Sequence, residues 1–267
     1  ILKSAKEAQE QMLDWFDRGK GLDKKMGMRH YPNPENIPDD AFTKPGPIII
    51  TAPVKSMKRS EEKVNATFGG DWSALRDSVR ASVAFDTEHE MYHGLQEMKK
   101  QGLKLAQQPL DRFSTPTASG YRDYQLMVEY PNGHIGELQI HLKPILQAKK
   151  EGHKYYEKLR SIGAKAKLEG RQYLTKEEDN ESNELLQKQR QLYDKAYHQS
   201  KNASSNRKHD EFFQYEGNPV RWEQGKVPQM LVNGKWKTLY DMAKLAMYGK
   251  IVSKESFSKA VNKLEKK

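Results

Sequence analysis

Two alternating runs on either side of one turn constrain this chain more than any other feature. Tyr124, Leu126, Val128 and Tyr130 alternate with Gln125, Met127 and Glu129, Pro131-Asn132-Gly133 reverses the chain, and Ile135 to His141 alternates again. A period of two around an Asn-Gly turn predicts an antiparallel hairpin with two unlike faces. Side chains two apart share a face, so Glu137, Gln139 and His141 form a polar row and Leu138 and Ile140 point the other way. Such a row is either a site or the solvated face that antiparallel sheets often have.

The rest of the chain supplies helices and short strands around that hairpin. Leu2, Ala5, Ala8, Met12, Trp15 and Phe16 recur at helical spacing up to about Arg18, and Gly19 and Gly21 end the run. Residues 31–40 hold three prolines, and Pro45 and Pro47 follow, which predicts an extended connection. Ile48-Ile49-Ile50 and Val79 to Phe85 read as strands, with a further short one at Leu103 to Ala106. Ser60 to Phe68 and Glu88 to Gly102 read as helices, the second with Met91, Leu95 and Met98 inward. After Pro144 come long charged helices, Ile145 to Arg160 and Thr175 to about Ser200, with Thr175 and Glu178 spaced as a capping box. A polar linker at 201–206 precedes a small unit in which Met230-Leu231-Val232 and Trp236 flank Asn233-Gly234. Helices near Leu239 to Tyr248 and Lys254 to Leu264 close the chain.

The expected fold class is therefore α+β: a mixed, largely antiparallel sheet flanked by helices, with a helical C-terminal extension. The expected divisions are residues 1–46 as an N-terminal helix and Pro-rich connection, 47–160 as the main domain, and 161–267 as a basic, mostly helical extension carrying a small hairpin-helix unit.

Composition narrows the chemistry. The 267 residues contain no cysteine, which excludes disulfides, thiolate catalysis and Cys-based zinc sites. The apolar runs are too short for a membrane span, so no membrane partner is expected. The formal net charge is +10, and it is uneven: residues 1–140 hold 19 basic and 20 acidic side chains, residues 141–267 hold 27 and 16. That asymmetry fits either a polyanion partner or a set of solvated, Lys-rich helices.

Three segments together resemble the synthetase domain of the RelA/SpoT family, the alarmone pyrophosphotransferases, over roughly residues 52–160. Val54-Lys55-Ser56, with Lys63 downstream, is similar to the family's Arg-Val-Lys-Ser motif and its following lysine. Asp77-Ser78-Val79-Arg80-Ala81-Ser82-Val83 resembles its metal-binding aspartate at a strand edge. Pro116-Thr117-Ala118-Ser119-Gly120-Tyr121, the hairpin, and Gly136-Glu137-Leu138-Gln139-Ile140-His141 resemble its Asn-Gly-Tyr loop and Glu-Ile-Gln-Ile strand, followed by a helix with Gly152-His153 and Tyr156. The sequence also departs from the family. Pro53 stands where the family carries an adenine-stacking arginine, and Arg80 and Ser82 stand where it has glycine and a second arginine. Thr117, Asp123 and Gln125 replace a lysine, a serine and a histidine.

The resemblance implies a Mg2+-dependent enzyme with ATP as donor substrate. Glu137 and Asp77 would be the catalytic and metal-holding carboxylates, as suits a hard cation that takes one or two carboxylates plus phosphate oxygens. Lys55, Arg59, Lys63 and Arg80 would meet the donor, the two arginines standing in for the missing pair. Tyr121, Gln139, His141 and His153 would meet the acceptor, Tyr121 by stacking on its base at about 1–3 kcal/mol. The acceptor is a nucleotide or an RNA such as tRNA; the basic second half favours RNA.

Family relatives include toxins, and the start at Ile1 rather than methionine suits a toxin domain delivered as part of a longer, or phage-encoded, protein. An immunity protein or antitoxin is then an expected partner, with a cytoplasmic site of action. The alternative is a catalytically inactive fold of the same kind that binds nucleic acid or protein, which the residues at Pro53 and Ser82 favour. Asp77, Tyr121 and Glu137 together speak against it, since a bare scaffold has no need of all three.

Overall fold

A computed structural model of the chain describes residues 2–16, 22–204, 210–223, 226–239 and 242–265. The expected helix stop at Gly19 and Gly21, and Ser205-Asn206 of the expected linker, lie outside these residues. The first half comprises α1 (Leu2–Phe16), α2 (Leu22–Met26), β1 (Arg29–Tyr31), β2 (Ile48–Thr51), α3 (Met57–Phe68), β3 (Arg80–Phe85), α4 (Glu88–Lys100), β4 (Leu110–Asp111), β5 (Tyr124–Glu129) and β6 (Ile135–Leu142). The second half comprises α5 (Lys143–Leu168), α6 (Lys176–Ser204), β7 (Glu211–Tyr215), β8 (Asn218–Trp222), β9 (Gln229–Val232), β10 (Lys235–Thr238), α7 (Met242–Tyr248), β11 (Lys250–Ile251) and α8 (Lys254–Glu265).

The first six strands form one mixed sheet in the order β1-β2-β3-β6-β5-β4. The β1–β2 and β3–β6 pairs are parallel and the other three are antiparallel. The hairpin forms as its alternation requires, with Leu126 opposite Leu138 and Gln125 opposite Gln139. Leu138, Ile140, Leu126 and Tyr124 turn into the main core with Val83 and Phe85, where α1 adds Ala5, Ala8, Met12 and Phe16, and α4 adds Met91, Leu95 and Met98. Each fully buried side chain of this size contributes on the order of 1.5–3 kcal/mol. Gly136 lets β6 begin tight against β3: a Cβ there would stand 2.8 Å from the Tyr130 ring and 2.9 Å from the Val79 carbonyl oxygen.

The opposite sheet face carries a smaller apolar cluster, in which Ile48, Ile50 and Ala84 meet Phe42 and Leu146. It is covered by the Pro-rich connection, which contains two short 3-10 turns, Pro34–Asn36 and Asp39–Ala41, and by α5. A buried cation ties these two together. Lys143 is wholly enclosed; its ammonium donates to the carbonyls of Lys44 (2.6 Å) and Gly46 (2.8 Å) and pairs with Asp86.

Several local expectations shift by tertiary context. β1 and β4 are edge strands of two or three residues, and Leu103 to Ala106 makes only an isolated bridge between Leu105 and Val128 in place of a strand. α3 starts at Met57 because Ser56 caps it, its hydroxyl accepting from the Arg59 amide. α5 runs eight residues past Arg160 because it packs along α6. The Thr175–Glu178 box is present, each side chain accepting the other's amide at 3.2 and 3.0 Å. Residues 201–204 continue α6 rather than opening a linker. Beyond it, the anticipated β9–β10 hairpin belongs to a five-stranded antiparallel sheet, β10-β9-β8-β7-β11. Among the described residues no helix is long and apolar enough to cross a membrane.

Candidate functional site

A cavity of about 560 Å³ lies on the smaller-cluster face of the first sheet, a size typical of small-ligand sites. Its floor is β3 and β6, which bring Arg80, Ser82, Glu137 and Gln139 together; Leu146, Lys149, Lys150 and His153 of α5 form one wall, and Pro34 to Phe42 of the connection another. The polar row of the hairpin is thus covered rather than solvated. Parallel pairing of β3 with β6 sets Arg80 beside Glu137 and Ser82 beside Gln139.

Asp77, just before β3, opens into this cavity with its two oxygens in different circumstances. Oδ2 accepts from Lys55 Nζ at 2.5 Å and Lys63 Nζ at 2.7 Å. Oδ1 is buried without a hydrogen-bond partner. Burial works to raise the Asp77 pKa, yet the two lysine hydrogen bonds and their charge together bring it below the ordinary carboxylate value. For Lys55 the balance runs the other way: burial, aided by the charges of Lys63 and Arg80, outweighs the pairing with Asp77 and lowers the ammonium pKa.

Glu137 is oriented by its neighbours in the row. Gln139 Nε2 donates to Glu137 Oε1 at 2.5 Å, and Gln139 Oε1 accepts from Lys149 Nζ (3.2 Å) and lies 3.3 Å from His141 Nε2. Because an ammonium only donates, Lys149 fixes which end of the Gln139 amide faces Glu137. His141 is fully enclosed, and burial, followed by the charges of Lys149 and Arg112, holds its pKa well below the usual range, so it is neutral. Its Nδ1 has no hydrogen-bond partner. Lys149 also donates to the Tyr121 hydroxyl at 3.3 Å and lies 5.1 Å above that ring. Burial lowers the Lys149 pKa against the opposing pull of Asp123 and Glu137.

Of the residues singled out in the sequence, Asp77, Arg80, Glu137, Gln139 and His153 line one cavity, and Lys55 and Lys63 reach it through Asp77. The others stand apart from the lining. Arg59 is exposed on α3, and His141 is enclosed below Gln139. Tyr121 is fastened by its hydroxyl, which donates to buried Asp123 at 2.8 Å, and packs edge-on against Tyr193. Burial, then Asp123, pushes the Tyr121 pKa far above its ordinary value. Lys149 and Lys150 were not anticipated. The signal was the spacing of Lys149 and His153, four apart on one helix face directly after the site strand.

The donor set suits a hard divalent cation such as Mg2+: the carboxylates of Asp77 and Glu137, with Glu35 of the connection, line the cavity, and Asp77 Oδ1 is a buried acceptor lacking any donor. The five cations Lys55, Lys63, Arg80, Lys149 and Lys150 suit phosphate oxygens.

No family model matches the chain, and no curated protein does. Solved structures are similar to it at low identity. They include the complex between the type VI effector Tas1 and its immunity protein (18% identity, TM-score 0.47, covering 73% of this chain and 94% of that one). Small alarmone synthetase 2 from Bacillus subtilis is another (18%, TM-score 0.44, 56% and 74%), as is a GTP pyrophosphokinase family protein from Streptococcus pneumoniae (17%, TM-score 0.42, 74% and 87%). Nothing about substrate or metal passes from them to this chain.

Proposed function

We propose that this chain is a Mg2+-dependent pyrophosphotransferase that moves the β,γ-pyrophosphate of ATP to the 3′-hydroxyl of a nucleotide or RNA acceptor and acts as a toxin. The observation that carries this reading is the pairing of two carboxylates, Asp77 and Glu137, with a surround of cations in one nucleotide-sized cavity. Phosphoryl chemistry asks for little else than positioning and charge neutralisation. The acceptor 3′-oxygen bonds to the donor β-phosphorus, the bridging bond to the α-phosphate breaks, and AMP leaves. Glu137, steered by Gln139, takes the hydroxyl proton. Asp77 and Glu137 would hold Mg2+, which when bound would neutralise phosphate charge. Lys55 and Lys63 exchange Asp77 for donor phosphate oxygens, with Arg80 beside them and Arg59 at the rim. Tyr121 and His141 act on the acceptor side through Lys149 and Gln139, and His153 faces the acceptor.

A nucleotide acceptor has more support than RNA. The support is the size of the cavity, about 560 Å³; the charge of the second half serves either acceptor, because ion pairs such as Lys158 with Glu181 and Arg160 with Glu157 leave its excess of 27 basic over 16 acidic side chains in place. An enzyme that drains ATP is harmful where ATP is made, so an immunity protein or antitoxin and a cytoplasmic site of action belong to the same reading.

The test is γ-labelled ATP and Mg2+ with separate pools of GDP, GTP, ADP, ATP and deacylated tRNA. Label is expected on a nucleotide, and Glu137→Gln is expected to lower the rate about 10²–10⁴-fold. Label on tRNA replaces the acceptor assignment with RNA. No transfer to any pool favours the inactive binding module.

A further inference from the structure

On the far side of the sheet from the cavity, three side chains converge from two elements that are distant in sequence. His89 and His93 stand one turn apart on α4, and Glu211 opens β7 of the second sheet. Glu211 Oε1 lies 3.0 Å from His93 Nε2, and Oε2 lies 3.7 Å from His89 Nδ1. One donor atom from each lies within 4.8 Å of the other two, the only such trio of metal-ligand residues among the described residues. The geometry points to a Zn2+ site of the His2Glu type that clips α4 to the second sheet.

The donor set argues for zinc. Two imidazole nitrogens and one carboxylate oxygen suit Zn2+ and poorly suit Mg2+, which prefers an all-oxygen octahedron. Zinc bonds of about 2.0–2.2 Å to nitrogen and oxygen put tetrahedral ligand atoms about 3.3–3.5 Å apart. The two separations from Glu211, one from each carboxylate oxygen, bracket that range, and closure onto an ion draws the three ligand atoms together from within 4.8 Å of one another. The surroundings hold the ligands in place: Trp222 packs edge-on against His89 at 5.1 Å, and Tyr92, between the two histidines, packs against Phe213 and Trp222. The His89, His93 and Glu211 side chains are 26%, 41% and 22% exposed, which leaves an open side for an ion to enter and a water to complete the set.

The segment His89-Glu90-Met91-Tyr92-His93 also has the spacing in which zinc hydrolases place two ligands and a general base. Glu90 is otherwise engaged here. Its Oε2 accepts the Asp86 amide at 3.1 Å at the helix start, and its own amide donates to Thr87. The ligand pair is thus retained without a base beside it, which makes the site a structural clip and not a second hydrolytic centre.

Chelator-treated, untagged full-length chain titrated with Zn2+ against a chromogenic competitor tests this. One equivalent is expected to bind and raise the thermal midpoint, since a ligand bound only by the folded state stabilises it. His93→Ala, at the most exposed ligand, and Glu211→Gln are each expected to weaken binding at least about 100-fold and to abolish the rise. His198→Ala, which removes an exposed imidazole on α6, is expected to change neither. Millimolar Mg2+ is expected not to compete. Zinc binding to the parent no tighter than to His93→Ala, with both folded by circular dichroism, overturns the site, as does an equal midpoint rise in both.

Discussion

Arg80 and Glu137 stand side by side across the parallel β3–β6 pair, placing a guanidinium and a carboxylate together on the floor of the cavity. The pairing arises from the crossover that runs from β3 through α4 to the hairpin, and not from either segment alone. It puts the donor-facing charge next to the group expected to take the acceptor proton.

Arg80→Gln removes the charge and shortens the side chain while keeping it polar. A charge-assisted hydrogen bond to phosphate contributes about 1.5–3 kcal/mol. The expected outcome is an ATP KM raised roughly 10- to 100-fold, with kcat moved much less, in steady-state transfer assays.

Lys55→Met tests the clamp on Asp77. Lys63 still pairs with Asp77, so the expected stability loss stays below the roughly 3–5 kcal/mol of a fully broken buried pair. The donor KM is expected to rise about tenfold or more, and a urea titration run beside the kinetics separates the two effects.

Lys143→Met is the opposite case, a large loss of stability. The ammonium is enclosed and satisfied by two carbonyls and Asp86, and its removal leaves those acceptors facing an apolar side chain. Loss of one partner from a buried pair costs about 3–5 kcal/mol, reduced somewhat because Asp86 is partly exposed. The measurement is the chemical denaturation midpoint.

Buried, neutral His141 makes the fold acid-sensitive. Its folded pKa is depressed, so below about pH 6.5 the unfolded chain binds a proton that the folded chain does not. Stability is therefore full above that pH and falls as the pH drops, by up to about 1.4 kcal/mol per unit for this one group. His134, held between Ser4 and Ser78 with its pKa also lowered by burial, acts in the same direction. Urea midpoints from pH 7 to pH 5 are expected to fall less steeply in His141→Gln than in the parent.

The site was legible where its residues sit on one short run. The alternation of residues 124–141 determined the hairpin, because side chains on a strand can only take opposite faces, and it put Glu137, Gln139 and His141 in one row. The same alternation could not tell a covered row from a solvated one. That depended on the Pro-rich connection and α5 folding over it, held by Lys143, a residue that reads in the sequence as one more basic side chain. Tyr121 shows the reverse case. A loop tyrosine after glycine looks available to a ligand, yet Asp123, two positions on, is enclosed by the fold and holds its hydroxyl.

By itself, then, the sequence determined the hairpin, its two-faced chemistry, the amphipathic α1 and α4, and the Thr175 cap, all set by contacts within a few residues. Only the tertiary structure decided that Asp77 and Glu137 line one cavity, that Lys149 and Lys150 join them, that strands between residues 211 and 251 add a second sheet, and that Glu211 meets His89 and His93. Those are encounters over tens to more than a hundred residues. They are governed by strand order and by which faces bury together, and no local periodicity carries that information.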